Sequence, residues 1–144
     1  MQFESALIGL AAVAAALLLG GMIVFAGYLA PQVFKRLPED VATNFMREIF
    51  PGFYMFMLVV AAIGAAAAVA VRPFEAGALA IVGVGFAMSR WWLAPEAQRL
   101  YDARLRDEPG APERFARMHK RSSGLFMAQI LASLMALLGL AIGT

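Results

Sequence analysis

Four long apolar runs, at residues 6–30, 50–71, 76–94 and 124–143, account for most of this 144-residue chain. A bilayer's hydrocarbon core, about 30 Å thick, takes about 20 helical residues to cross, and each run approaches or exceeds that length. A backbone in lipid has no water to pair with, so each run must close its hydrogen bonds internally, as a helix. The pattern predicts an all-α fold: an integral membrane four-helix bundle forming one four-span domain over residues 1–144.

The polar stretches refine this picture. After Pro38, Glu39 and Asp40 precede Val41, Phe45 and Ile49 at helical spacing. Proline and acidic residues suit the first turn of a helix, so a short helix is expected there, lying on the membrane surface or on the other helices. The third run is expected to continue as helix over residues 96–106. The cluster Asp107-Glu108-Pro109-Gly110-Ala111-Pro112 breaks it, and helix resumes at Glu113. These helical extensions project beyond the bilayer as a hairpin. At the other end, Arg72-Pro73-Phe74-Glu75 forms a tight turn.

Charge gives the bundle a direction. Lys35, Arg36, Arg47, Arg99, Arg104, Arg106, Arg114, Arg117, Lys120 and Arg121 lie in the two long connections, against Arg72 alone in the short turn. The positive-inside rule then places the long connections in the cytoplasm and both termini outside it, most simply in a bacterial inner membrane. The chain is 62% hydrophobic and only 15% charged, a composition suited to lipid as solvent rather than to a soluble domain. Its net charge of +2 reflects this one-sided loop bias and does not imply a nucleic-acid partner. The N-terminus carries Glu4 in place of a basic leader, so the first run is expected to be a retained span. The chain has no cysteine, which excludes disulfides and thiolate metal sites within it.

Few residues suggest chemistry. Arg90, between Ser89 and Trp91-Trp92, is an ionisable group near the end of a span. It either snorkels to the headgroups beside an aromatic belt or pairs inside a pocket. His119, Ser122, Phe126, Gln129 and Ser133 follow at spacings of 3, 4, 3 and 4, which keeps them on one helical face. Polar groups on such a face should look inward. Together with Arg90, Trp91, Glu48, Tyr54 and Gln98 they outline a candidate ligand-binding pocket that opens on the basic side. His119 can alternatively serve as a structural hydrogen-bonding group tied to the first basic connection, as a proton-handling group, or as a haem or metal ligand with Met118, Met46 or Met55 as a soft second ligand. One histidine gives no bis-histidine site in a monomer, and no metal site or cofactor is expected. Gly139 and Gly143 form a small-residue pair of the kind found at helix contacts. Pro31, Pro51 and Pro95 mark helix kinks or starts at the basic end. No serine elbow, phosphate loop or zinc-protease motif occurs, so no catalytic residue is assigned.

The segments Ala30-Pro31-Gln32-Val33-Phe34 and Phe50-Pro51-Gly52-Phe53-Tyr54, with Pro95 and with Phe115, His119 and Ser122, carry a resemblance. In length, span order and these short motifs, the chain resembles the domain-of-unknown-function membrane family that includes eukaryotic transmembrane protein 205. That resemblance implies a four-helix membrane bundle and no established biochemical activity. The residues and the resemblance together favour a non-enzymatic protein that binds a small amphipathic ligand, lipid or partner helix on its cytoplasmic side. The alternatives are a membrane-bound redox or porphyrin-linked enzyme, and an assembly subunit. The expected partners are membrane lipids and a second copy or another membrane protein.

Overall fold

The computed structural model describes residues 1–143, and the described residues form helices with no strand among them. Four helices dominate: α1 (Gln2–Arg36), α2 (Glu39–Ala68), α3 (Pro73–Leu105) and α4 (Ala111–Ile142). All four are long and apolar enough to cross a membrane. They run up, down, up and down, and α1 packs on α2, α2 on α3, α3 on α4 and α4 back on α1.

The seams repeat at alternating steps of three and four. Ala11, Ala15, Leu18 and Met22 are buried on α1, Leu79, Val82 and Phe86 on α3, and Gln129, Ser133, Ala136 and Leu140 on α4. This spacing holds one stripe of each helix against its neighbours along the bundle. Alanine makes up half of the buried core residues, as expected where lipid supplies no hydrophobic drive and close contact must hold the helices together. At Gly64 of α2, a Cβ would sit 2.8 Å from the Ala14 Cβ, so α1 and α2 approach at backbone distance. Val13, Leu17, Val59, Ile63, Ile81, Val84, Leu131 and Met135 face outward on the spans, where lipid would meet them.

Each element starts where the residues dictate. The turn between α2 and α3 falls earlier than the expected 72–75: it occupies residues 69–72, Arg72 is the N-cap, and Pro73 already takes the first helical position. Between α3 and α4, Asp107 and Gly110 take positive φ values of 55° and 72°. Gly110 has no Cβ to oppose that conformation and forms the N-cap of α4, which begins at Ala111 rather than Glu113. The stretch after Pro38 packs on another helix, one of the two placements expected for it. It is the first part of α2, which continues through Pro51 as one 30-residue helix. Its apolar face, Ala42 and Met46, packs on Phe25 and Val33 of α1.

Two interruptions share a form. α1 widens into a π turn at Phe25–Leu29 and α3 at Ser89–Leu93. Pro31 and Pro95 follow two residues later, each preceded by Leu-Ala. A proline ring collides with the carbonyl four residues back, here that of Gly27 or Trp91. Both carbonyls lie inside the π turns, where the wider loop makes room for the ring.

The short-turn end is locked by charge. The Arg72 guanidinium donates to Glu75 Oε1 at 2.7 Å and to the carbonyls of Gly139 and Gly143, each at 2.6 Å. It thereby caps the C-terminus of α4, where the helix dipole favours a cation. The hydrogen bond to Glu75 holds Arg72 above its ordinary pKa, so the guanidinium stays charged. Glu75 is buried, and a Cβ at Gly139 would lie 2.6 Å from its Oε1. Gly139 and Gly143 thus make room for an ion pair rather than for a neighbouring helix.

Candidate functional site

At the basic end the helices separate around a cavity of ≈ 500 Å³ lined by residues from all four. That size falls within the range of about 300–1,000 Å³ typical of small-molecule sites. α1 contributes Ala30 and Phe34, and α2 contributes Thr43, Met46, Arg47, Phe50 and Tyr54. Ser89, Leu93, Ala97, Gln98, Tyr101 and Arg104 come from α3, and Phe115, Met118, His119, Ser122 and Phe126 from α4.

The deep end is aromatic. Phe50, Tyr54 and Phe126 line it, and Phe50 stacks on Tyr54 with ring centroids 5.3 Å apart; outside the lining, Phe25 stacks on Phe53 at 4.1 Å and Phe86 meets Phe53 edge-on at 6.2 Å. Offset and edge-on contacts of this kind form rigid apolar walls.

The end nearest the connections is cationic and aromatic together. Arg47 pairs with Asp102 at 2.7 Å and also donates to the Gln98 carbonyl. Two guanidiniums, those of Arg47 and Arg104, each lie 5.0 Å from the Tyr101 ring centre. Arg104 also covers Phe115 at 4.9 Å and reaches Glu39 at 3.3 Å. Cations over ring faces are attracted by the ring quadrupole, so this layer ties α2, α3 and α4 together beyond the apolar seams.

The mouth lies on the α1 side. Phe34, Glu39 and His119 line the cavity yet stay exposed. Contact between α1 and α4 is carried by the Gln2–Val24 part of α1, whereas the terminal Ala30–Arg36 part packs on α2. The gap between Phe34 and His119 is therefore bounded by two helices that separate after the first π turn.

The expected site residues divide into two groups. Tyr54, Ser122 and His119 line the cavity, as do Gln98, Met46 and Met118. Along the α4 stripe, His119 is exposed, Ser122 and Phe126 are half-buried, and Gln129 and Ser133 are buried below the cavity. Gln129 donates to the Val82 carbonyl at 3.0 Å, in room left by Gly85. Ser133 Oγ is buried without a hydrogen-bond partner. Arg90, Trp91 and Glu48 stand outside the cavity wall. The Arg90 guanidinium lies 6.0 Å from the Trp91 ring and forms no ion pair with the described residues, and Trp91 is 57% exposed. That placement matches a belt anchor. The tying hydrogen bond expected of His119 is not formed: its imidazole has no hydrogen-bond or ion-pair partner among the described residues.

Arg47, Thr43, Tyr101 and Arg104 are among the lining residues that sequence reasoning did not place in the pocket. A signal existed for Arg47, which precedes Phe50 and Tyr54 by three and seven residues on one helical face. Among the described residues no group of three or more His, Cys, Asp or Glu side chains could hold a metal ion.

Comparison with curated proteins and with solved structures gives no match. Residues 13–106, which include the cavity walls of α1, α2 and α3, match a family described as "Domain of unknown function (DUF4149)", and the chain belongs to that family.

Proposed function

We propose that this chain is a non-enzymatic membrane protein that holds a small amphipathic molecule in the cavity at its basic end. The observation that supports this reading is the ≈ 500 Å³ cavity itself, with aromatic walls deep inside and Arg47, Arg104 and His119 toward the connections. An apolar body would lie against Phe50, Tyr54 and Phe126, and a polar head beside His119, Ser122 and the two arginines. The proposal assigns no ligand contact to Arg90, Trp91, Glu48 or Gln129. The positive-inside rule supports placing the basic end in the cytoplasm, with both termini outside a bacterial inner membrane. A C-terminal reporter found in the cytoplasm would overturn that placement. The likeness to the family of transmembrane protein 205 supports the membrane setting and adds no activity.

The test is binding of a fluorescent single-chain amphiphile to the full chain in lipid nanodiscs. Ser122→Trp puts an indole into the cavity and is expected to weaken binding at least about tenfold, the effect of losing about 1.4 kcal/mol of contact. Unchanged binding by a well-folded Ser122→Trp protein would sink the proposal. A second reading, a haem- or porphyrin-linked enzyme, draws on one observation: His119 lines the cavity with its imidazole unengaged, and Met46 and Met118 line it too. A Soret band after haem supplementation, lost in His119→Ala, would support that reading, and its absence would remove it. An assembly subunit or homo-oligomer would show a native mass above that of the monomer.

A further inference from the structure

A second concave site lies on the α3–α4 hairpin, with Met118 lining both it and the cavity. It is a cleft of ≈ 190 Å³ lined by Arg99, Arg114, Arg117 and Arg121, with Glu96 as its sole carboxylate and Leu100 and Met118 as its apolar lining. Four guanidiniums against one carboxylate leave a strong positive excess in a small space. Glu96 is already committed to Arg99, through contacts of 2.5 and 3.0 Å. Arg114 reaches only the carbonyls of Gly110 and Pro109, each at 3.4 Å. Arg117 and Arg121 have no hydrogen-bond or ion-pair partner among the described residues. Convergent guanidiniums without protein partners match the planar, bidentate donor geometry that phosphate oxygens accept.

The depth of the cleft indicates the source of the anion. Arg121 precedes the apolar run at Gly124 by three residues, about 4.5 Å along the helix axis. Arg99 lies seven residues beyond the exposed Trp92, about 10 Å. The headgroup layer on each side of a bilayer is roughly 5–8 Å thick. Arg121 lies within it, and the other arginines extend from it toward water. A free anion would have no reason to select this level, whereas a lipid phosphate is held there by its own tails.

We infer that this cleft binds the phosphate headgroup of an anionic phospholipid, at a site separate from the internal cavity. The inference does not depend on what the cavity holds.

Native mass spectrometry of the full chain, titrated with phosphatidylglycerol or phosphatidylcholine, tests it. Phosphatidylglycerol is expected to bind more tightly. Arg117→Gln with Arg121→Gln should weaken its binding about 30-fold, at about one headgroup-level charge contribution per arginine. Lys35→Gln with Arg36→Gln removes the same charge outside the cleft and should change binding less than about threefold. Glu96→Gln removes the competing carboxylate and should tighten binding about fivefold, a gain that misfolding cannot mimic. Equal losses in the two double variants would mean diffuse attraction and overturn the site. No gain in Glu96→Gln would do the same. Displacement of the lipid by millimolar inorganic phosphate would assign the cleft to a soluble anion and overturn the lipid.

Discussion

At the short-turn end, Gly64 and Ala14 bring two helix backbones together, and Arg72 spans the turn to clamp Glu75 and the last carbonyls of α4. At the basic end, Phe, Tyr and Arg side chains hold the same four helices apart around a cavity. Residue size accounts for much of the difference. Ala and Gly let helices close on each other, whereas rings and guanidiniums keep them separated and leave space between. One half of the bundle is therefore built for cohesion, and the other carries the candidate site.

Substitutions can break this contrast, and the largest effect belongs to the clamp. Arg72→Ala should lower the thermal midpoint in detergent more than any change below, because it leaves the buried Glu75 carboxylate without its partner. Adding Glu75→Ala should restore part of that loss, so the two effects should not add. Additive effects would show that the pair is not coupled. Next, Gly64→Leu should cost about 1–3 kcal/mol by overpacking the α1–α2 seam. Ala97→Leu at the cavity wall adds similar bulk into open space, and its unfolding free energy should stay within about 0.5 kcal/mol of the parent. Equal losses at the two positions would show that the basic end is as tightly packed as the other. Arg104→Gln is expected to cost about 1 kcal/mol through the lost attraction to Tyr101 and Phe115. Denaturant unfolding of the purified protein reads both sets of changes.

Much of this architecture was legible in the chain, because its causes are local. Runs of apolar residues, Pro38 before two acids, and the breaker cluster before α4 each act within a few positions. The inward stripe on α4 was legible for the same reason, since helical spacing alone brings Ser122, Gln129 and Ser133 to one face. The clamp was not. Arg72 meets Gly139 and Gly143, 67 and 71 residues away, and no periodicity within one helix shows that meeting. The small-residue pair therefore read as a helix contact when its role is to admit charge. The cavity was half legible. Tyr54, His119 and Ser122 were expected in it, but the contact of Arg47 with the Tyr101 ring requires two helices to arrive in register. Arg90 attracted attention because charge at a span end is costly, but it stands outside the cavity wall with its guanidinium 6.0 Å from the Trp91 ring.

The π turn at Ser89–Leu93 has a geometric consequence for the cavity wall. An α-helix turns about 100° per residue, and a π turn takes in one additional residue. Everything after it is rotated back by about that angle relative to an unbroken helix. Leu93, Ala97, Tyr101 and Arg104 consequently fall in line with Ser89, and all five border one space. Without the added residue, the line running on from Ser89 would pass through Leu100 and Ala103, the residues now buried elsewhere on α3. A single step in the winding of one helix thus decides whether the chamber is faced with a phenol and a guanidinium or with plain aliphatic groups.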